Sequence, residues 1–273
     1  MTEDTSPYAF GQTDSIVEQF SKRTVNNSAA YLKGSLESHM KILDVGCGPG
    51  TITIDLARHV PLGHVTGIDT ESASATLDKA RAQAANEDVQ NVEFRVADGL
   101  ALPYADHTFD VVHAHQVLLH VNDPVGLLTE MRRVTKPGGI VACRTWDDGT
   151  MMVYPHSERI LQTHGLYQRV MEEWGRNLKG GRYMHVWARK AGFKPSNIKV
   201  TSSNYTNYTP AERRYWADMM ISVLKESPIR AAALEKGYAT ADDFEATKAA
   251  WEEWEANEDG LCVGVNEEVL CRV

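Results

Sequence analysis

The 273-residue chain has little that would cross-link it, anchor it or draw it to a polyanion. Its four cysteines, Cys47, Cys143, Cys262 and Cys271, form no C-x-x-C pair. That spacing signals neither a zinc site nor a disulfide framework, and no other metal-ligand cluster shows, so no metal is expected. No apolar run approaches the length of a membrane span. Residues 1–6 are polar and acidic, without the apolar core of a secretory leader. Basic residues are outnumbered, 28 Lys+Arg against 37 Asp+Glu, for a formal net charge of −9. A phosphate backbone or an anionic bilayer would meet no basic face. Repeats, linkers and low-complexity tracts are absent as well. These absences set the expectation of a cytoplasmic protein with no nucleic-acid partner, and 42% hydrophobic residues are enough for one large α/β core.

The stretch that organises the rest is 42–51, Ile-Leu-Asp-Val-Gly-Cys-Gly-Pro-Gly-Thr. It opens as the short apolar run of a buried parallel strand and closes in a glycine-rich turn. Ile52 and Leu56, four apart, continue it as a helix. Strand, glycine turn and helix form the first unit of a doubly wound sheet, where ligands bind at the carboxyl end of the strand. The glycines Gly46, Gly48 and Gly50 make G-x-G-x-G rather than the dinucleotide pattern G-x-G-x-x-G, and Asp44 stands two residues before them. A carboxylate there suits a cation better than a pyrophosphate.

Downstream, 65–69 reads as a second strand ending in Asp69, about 20 residues after the turn, where an acid can accept both ribose hydroxyls. Capping the next helix is the other reading of Asp69. A third strand at 92–96 runs into Ala97-Asp98-Gly99, which is also a plain Asp-Gly turn pattern. A fourth at 109–114 exits through His115, Gln116 and His120. Imidazole titrates near neutrality, so His120 and His115 are the candidate catalytic residues; the alternative for His120 is to bond a backbone carbonyl and hold the loop. Asp123-Pro124 starts a helix with cap and first-turn residue in the favoured order, burying Val125, Leu128, Met131 and Val134. Lys136-Pro137-Gly138-Gly139 reads as a type II turn before a fifth strand at 140–143.

D-V-G-C-G-P-G resembles motif I of the class I methyltransferases that use S-adenosylmethionine (AdoMet), and R-R-V-T-K-P-G-G-I-V resembles the post-helix motif of the ubiquinone- and menaquinone-biosynthesis type. The resemblance implies AdoMet as cofactor and transfer of its methyl group to a small-molecule O, N, S or C nucleophile. It also implies cofactor contacts at Asp44, Gly46, Cys47 and Gly48, at Asp69 with Thr70, at Ala97, Asp98 and Gly99 around the adenine, and at His115 and Gln116 near the sulfonium. Tyr8 and Arg23 would join them if the N-terminal segment folds over the cofactor; the plainer reading is a capping helix with a solvated Arg23. A non-methylating AdoMet binder, such as a cyclase or a regulatory protein, carries the same motifs.

The fold expected is one α/β domain over 1–273: a doubly wound, mostly parallel sheet of seven strands with the last antiparallel. Residues 1–40 form helical cover, 41–145 the cofactor core, and 146–273 the remaining sheet. Helices are expected at 157–177 and 182–191, a sixth strand at 197–205 and a closing strand at 268–273. Between the last two strands lies a helical insertion at 206–267, with Tyr208, Tyr215, Trp216, Met219, Met220, Trp251 and Trp254. Too apolar for a disordered loop, it has to pack on the core, on a second copy in a homodimer, or over the active site.

Overall fold

The computed structural model describes residues 14–273. Short helices lead in: α1 (Asp14–Phe20), α2 (Val25–Ser28) and α3 (Ala30–Lys33). The alternation then begins with β1 (Lys41–Val45), α4 (Thr51–His59), β2 (His64–Asp69), α5 (Ser74–Asn86) and β3 (Val92–Val96). It continues through β4 (Phe109–His115), α6 (Pro124–Val134) and β5 (Thr135–Tyr154). After α7 (Glu158–Glu173) and α8 (Met184–Lys190) comes β6 (Ile198–Asn207), then α9 (Pro210–Glu226), α10 (Pro228–Glu235), α11 (Ala241–Ala256) and finally β7 (Leu261–Arg272).

The seven strands form one sheet in the order β3-β2-β1-β4-β5-β7-β6. All pairs from β3 to β5 are parallel, and β7 runs antiparallel to both its neighbours. The winding reverses between β1 and β4. That places the open crevice of an α/β sheet beyond their carboxyl ends.

Period-two alternation sends the central strands' side chains to two cores. Ile42, Val65, Val111 and Ile140 face one side, packed with Val25, Leu32 and Leu56 of the flanking helices. Leu43, Val45, Val112 and Val141 face the other, against Leu127, Leu128 and Met131 of α6 and Met184 of α8. Asp123 caps α6 by accepting from the Gly126 N–H, and the buried stripe runs through Leu127 where the spacing had suggested Val125.

Two strands are longer than their sequence suggests. β5 does not stop at residue 143. It runs on to Tyr154, interrupted between Asp147 and Met152, where residues 148–151 stand opposite Gly264 alone. β7 begins at Leu261 and pairs along its whole length with β5 and β6. The insertion is therefore 208–260, and its helices form a third core with α7 through Ile160, Trp216, Phe244, Trp251 and Trp254. Capping boxes open α9 at Thr209–Glu212 and α11 at Thr240–Asp243.

Candidate active site

The turn after β1 is clamped to β2: the N–H groups of Gly46 and Cys47 both donate to the Ile68 carbonyl, at 2.8 and 2.9 Å. Gly50, at φ +78°, precedes α4 as its cap residue; a Cβ there would lie 2.6 Å from the Phe94 ring and 2.7 Å from Ala80. Gly48, at φ +53°, is the opposite case, because a Cβ on it would meet nothing within 4 Å. Its bare main chain faces open space, the condition for close approach of a ligand.

Asp44 is buried and fully engaged. Its Oδ2 accepts from Thr53 Oγ1 at 2.6 Å, and its Oδ1 lies 2.8 Å from His113 Nδ1. It thus ties β1 to α4 and β4 at the cavity wall. At the end of β2, Asp69 is held by two main-chain donors, Gly48 N–H on Oδ2 and Thr70 N–H on Oδ1, each at 2.8 Å. Burial lifts its carboxyl above the ordinary range, against the pull of those two N–H groups. The Thr70 hydroxyl is 2.8 Å from that of Ser72. The Cys47 thiol is pushed up, first by burial and then by Asp44 and Asp69, and stays protonated.

Past β3, the Ala97 N–H donates to the Asp69 carbonyl at 2.9 Å, and Asp98 Oδ1 accepts from Leu100 N–H at 2.9 Å. This Asx turn leaves Asp98 exposed at the cavity mouth, with Gly99 beside it. Past β4, Gln116 takes φ +58°, a left-handed backbone that is unusual for a residue with a side chain. Its amide is pinned at both ends: Nε2 donates to Asn266 at 2.6 Å, and Oε1 accepts the Trp146 N–H at 2.8 Å. His115 is buried, and its Nε2 sits 3.0 Å from Arg144 Nη1. A guanidinium can only donate, so that nitrogen accepts and the proton rides on Nδ1. Burial and then the charges of Arg23 and Arg144 hold His115 well below the usual imidazole range. His120 is lowered likewise to about 3, by burial and then by Arg176 and Arg23.

Asp44, Gly46, Cys47, Gly48, Asp69, Thr70, Ala97, Asp98, Gly99, His115, Gln116 and His120, together with Arg23, line one cavity of about 940 Å³. Arg23 stacks on Phe20, 4.2 Å from the ring centroid, and has no carboxylate partner among the described residues. Tyr8 lies outside the described residues. The far wall comes from parts of the chain that carried no motif. α9 contributes Tyr215, Trp216, Met219 and Met220, β5 contributes Trp146 and Asp148, α7 contributes His164 and Tyr167, and β6 contributes Tyr205. Trp251 and Trp254 are core instead, and Tyr208, 59% exposed, is not in the wall. Nothing in the sequence marked Asp148 or His164, which stand on different elements. Among the described residues no group of His, Cys, Asp and Glu is arranged to hold a metal ion, and no helix is long and apolar enough to cross a membrane.

A glycine turn, a carboxylate at the end of β2 and a cavity at the sheet's switch point are the arrangement of a ligand-binding doubly wound α/β protein. The family can be stated more closely. Residues 36–207 match the family model described as a methyltransferase domain. The chain is 36% identical over 222 residues to an uncharacterized methyltransferase of Schizosaccharomyces pombe, covering 78% of this chain and 77% of that protein. It is 32% identical over 292 aligned positions to the Aspergillus luteorubrus protein named "Probable methyltransferase ltbC", covering 98% of each. A demethylmenaquinone methyltransferase of Staphylococcus aureus is 34% identical over 155 residues, 56% of this chain and 60% of that one. Among solved structures, the Haemonchus contortus phosphoethanolamine N-methyltransferase 2 superposes with a TM-score of 0.56 at 19% identity, over 90% of this chain and 52% of that one. The [4+2]-cyclase SpnF does so at 0.54 and 19%, over 97% and 87%. These two likenesses show the fold. The chain belongs to the methyltransferase-domain family, and it is an AdoMet-dependent methyltransferase of class I.

The residues present fit that cofactor. The open face of Gly48, the carboxylate of Asp69 and the guanidinium of Arg23, without a carboxylate partner among the described residues, offer a close main-chain approach, an acceptor for hydroxyls and a partner for a carboxylate.

Proposed function

We propose that this enzyme methylates a small molecule held between the sheet's carboxyl edge and α9. The observation that carries the reading is the continuity of the cavity: Asp69 and Gly48 at one end share it with Trp146, Tyr205, Trp216, Met219 and Met220 at the other. Its volume of about 940 Å³ suits a cofactor with a compact acceptor, and apolar walls with a few polar groups are typical of small-molecule sites. The whole chain then works as one unit, since the insertion completes the pocket that the core begins. A cytoplasmic setting goes with this reading, supported by four free cysteines, all buried.

In that pocket Asp69 accepts the ribose hydroxyls, Asp98 takes the adenine amino group, and Arg23 pairs with the amino-acid carboxylate. The cofactor supplies a methyl carbon already activated by its sulfonium. The chain's own contribution is alignment of the acceptor and exclusion of water. α9 serves the second with Met219 and Met220, which line the cavity, and Gln116, fixed at both ends, holds the exit of β4.

Incubation with methyl-labelled AdoMet and a fractionated extract of the source organism tests this. Label should appear in a low-molecular-weight product. Label confined to protein or nucleic acid, or cofactor binding without turnover in any fraction, overturns the reading.

A further inference from the structure

The acceptor half of the cavity contains a second pair of titratable groups that no motif pointed to. β5 bulges where residues 148–151 stand opposite Gly264. Such irregularities re-aim side chains, and this one brings Asp148 to the cavity wall beside His164 of α7. Asp148 is buried, and both its oxygens are used. Oδ1 lies 3.1 Å from His164 Nδ1 and accepts from Trp146 Nε1, also at 3.1 Å. Oδ2 accepts from Gln168 Nε2 at 2.8 Å. Its main-chain N–H donates to the Leu178 carbonyl at 3.0 Å. Burial pushes the Asp148 carboxyl up, but His164, Gln168 and Trp146 outweigh it and hold the group below the usual carboxylate range.

An ionised carboxylate can only accept. His164 therefore donates from Nδ1, and in the neutral ring Nε2 carries the lone pair. Among the described residues nothing hydrogen-bonds to Nε2, and His164 lines the cavity. The ring is fixed on its other sides by Tyr167 and Trp251, each with centroids 6.3 Å away. His115 contrasts with this, since Arg144 occupies its Nε2.

The same carboxylate anchors the aromatic wall. Trp146, bonded to Asp148, packs with Tyr205 and Trp216 at centroid distances of 5.5 to 5.8 Å. The indole approaches β7 closely because Gly264 has no side chain there; a Cβ would fall 2.0 Å from the ring. Aromatic faces and flexible methionines suit a flat apolar ring.

We propose that His164 is the catalytic base of this methyltransferase, positioned by Asp148, and that the acceptor is a phenol. The proposal rests on the small-molecule reading above and names its substrate class. In the step, the phenol's O–H proton passes to His164 Nε2. The phenol oxygen forms a bond to the methyl carbon as that carbon's bond to sulfur breaks, and the electron pair stays on sulfur. The imidazolium, stabilised by Asp148 at Nδ1, then returns its proton to water.

The test uses the full chain loaded with S-adenosylhomocysteine and 4-nitrophenol as the probe, at a pH where free nitrophenol is mostly protonated. Calorimetry first establishes that S-adenosylhomocysteine binds; failure there strikes the methyltransferase reading itself and the dyad with it. On binding to the wild type, the nitrophenolate absorption band should appear. In H164Q it should be lost, with nitrophenol and S-adenosylhomocysteine still bound and the melting temperature close to wild type. D148N should weaken the band. With AdoMet, kcat for nitrophenol should fall by about 10²–10⁴-fold in H164Q at little change in KM. A histidine that only holds the bend of β5 onto α7 would lower the melting temperature and leave the band intact. Nitrophenol that fails to bind, binds without the band, or keeps the band in H164Q overturns the proposal. Should H164Q not fold, the wild-type spectrum and H164N decide by the same criteria.

Discussion

The main-chain N–H of Gly48 donates to Oδ2 of Asp69 across 2.8 Å, joining the turn after β1 to the end of β2. With the Thr70 N–H on Oδ1, the carboxylate that the proposed site uses is held from both sides. A preformed carboxylate keeps ordering costs out of binding, so losing it should be felt mainly as affinity.

Asp69→Ala should lower AdoMet affinity by at least about tenfold, since hydrogen bonds to a charged group are worth about 1.5–3 kcal/mol each and do not add fully. Stability should behave differently. Burial raises the Asp69 carboxyl above its ordinary value of 3.8. The folded state then binds the proton more tightly than the unfolded chain does. Stability falls as pH rises through that window, and the ionised group is a burden at neutral pH. The melting temperature of Asp69→Ala at neutral pH should therefore hold or rise while calorimetry shows weaker binding. Wild-type affinity in a folded variant would remove Asp69 from the ribose site.

Two glycines of one turn should part company. Gly50→Ala drives a Cβ to 2.6 Å from Phe94 and 2.7 Å from Ala80 at φ +78°. Overpacking plus left-handed strain should cost about 2–4 kcal/mol in urea unfolding. Gly48→Ala meets no protein atom. It should cost about 1–2 kcal/mol from strain alone and lose cofactor affinity, because the added methyl occupies the space the ligand approaches. Equal stability losses with unchanged binding in both would show that the Gly48 face is not the cradle.

Much of the proposed cofactor side was legible because each element carries its own local signal: an apolar run into glycines at 42–50, an acid at the end of β2, an Asp-Gly after β3, and Asp-Pro opening α6. The acceptor side was not. Asp147-Asp148-Gly149 has the composition of a turn, yet β5 absorbs it as a bulge, because pairing with β7 resumes at Met152 and Val263. Gly264 and Asn266 break the alternation of β7, but they are placed there by the Trp146 ring and the Gln116 amide. His164 meets Asp148 across two elements, and no spacing encodes that contact. Tertiary pairing overrode local preference at each of these points.

Acid should destabilise the fold through the histidines of the β4 exit. Burial, Arg176 and Arg23 hold His120 down to about 3, from an ordinary 6.5, and His115 is lowered too. In the folded state both rings resist protonation that the unfolded chain accepts. Their contribution is complete above the unfolded value and is lost progressively as pH falls from about 6.5 towards 3. Urea unfolding of the wild type should show a smaller free energy at pH 5 than at pH 7. His120→Gln should flatten that difference, since its side chain does not titrate. An unchanged pH slope in His120→Gln would mean that the ring is not held neutral.

The last prediction separates the two jobs of the insertion. Met219 and Met220 of α9 line the cavity and are only partly buried in their core, whereas Trp251 of α11 is 1% exposed and belongs to the packing beneath. Both lie on helical apolar faces, so sequence spacing alone could not tell roof from scaffold. Truncating a methionine that faces an open pocket removes contacts with the occupant and few with the protein. Truncating a buried tryptophan leaves a hole that its neighbours fill only in part. Trp251→Ala should therefore cost about 3–5 kcal/mol of stability, or the fold itself. Met219→Ala and Met220→Ala should stay within about 1.5 kcal/mol of the wild type, keep AdoMet affinity, and raise the acceptor KM or relax acceptor choice. Kinetics on an acceptor found by the labelling experiment, beside unfolding curves for the three variants, read both effects. If the methionine variants lose stability as Trp251→Ala does while acceptor kinetics stay unchanged, α9 is scaffold and the roof of the pocket lies elsewhere.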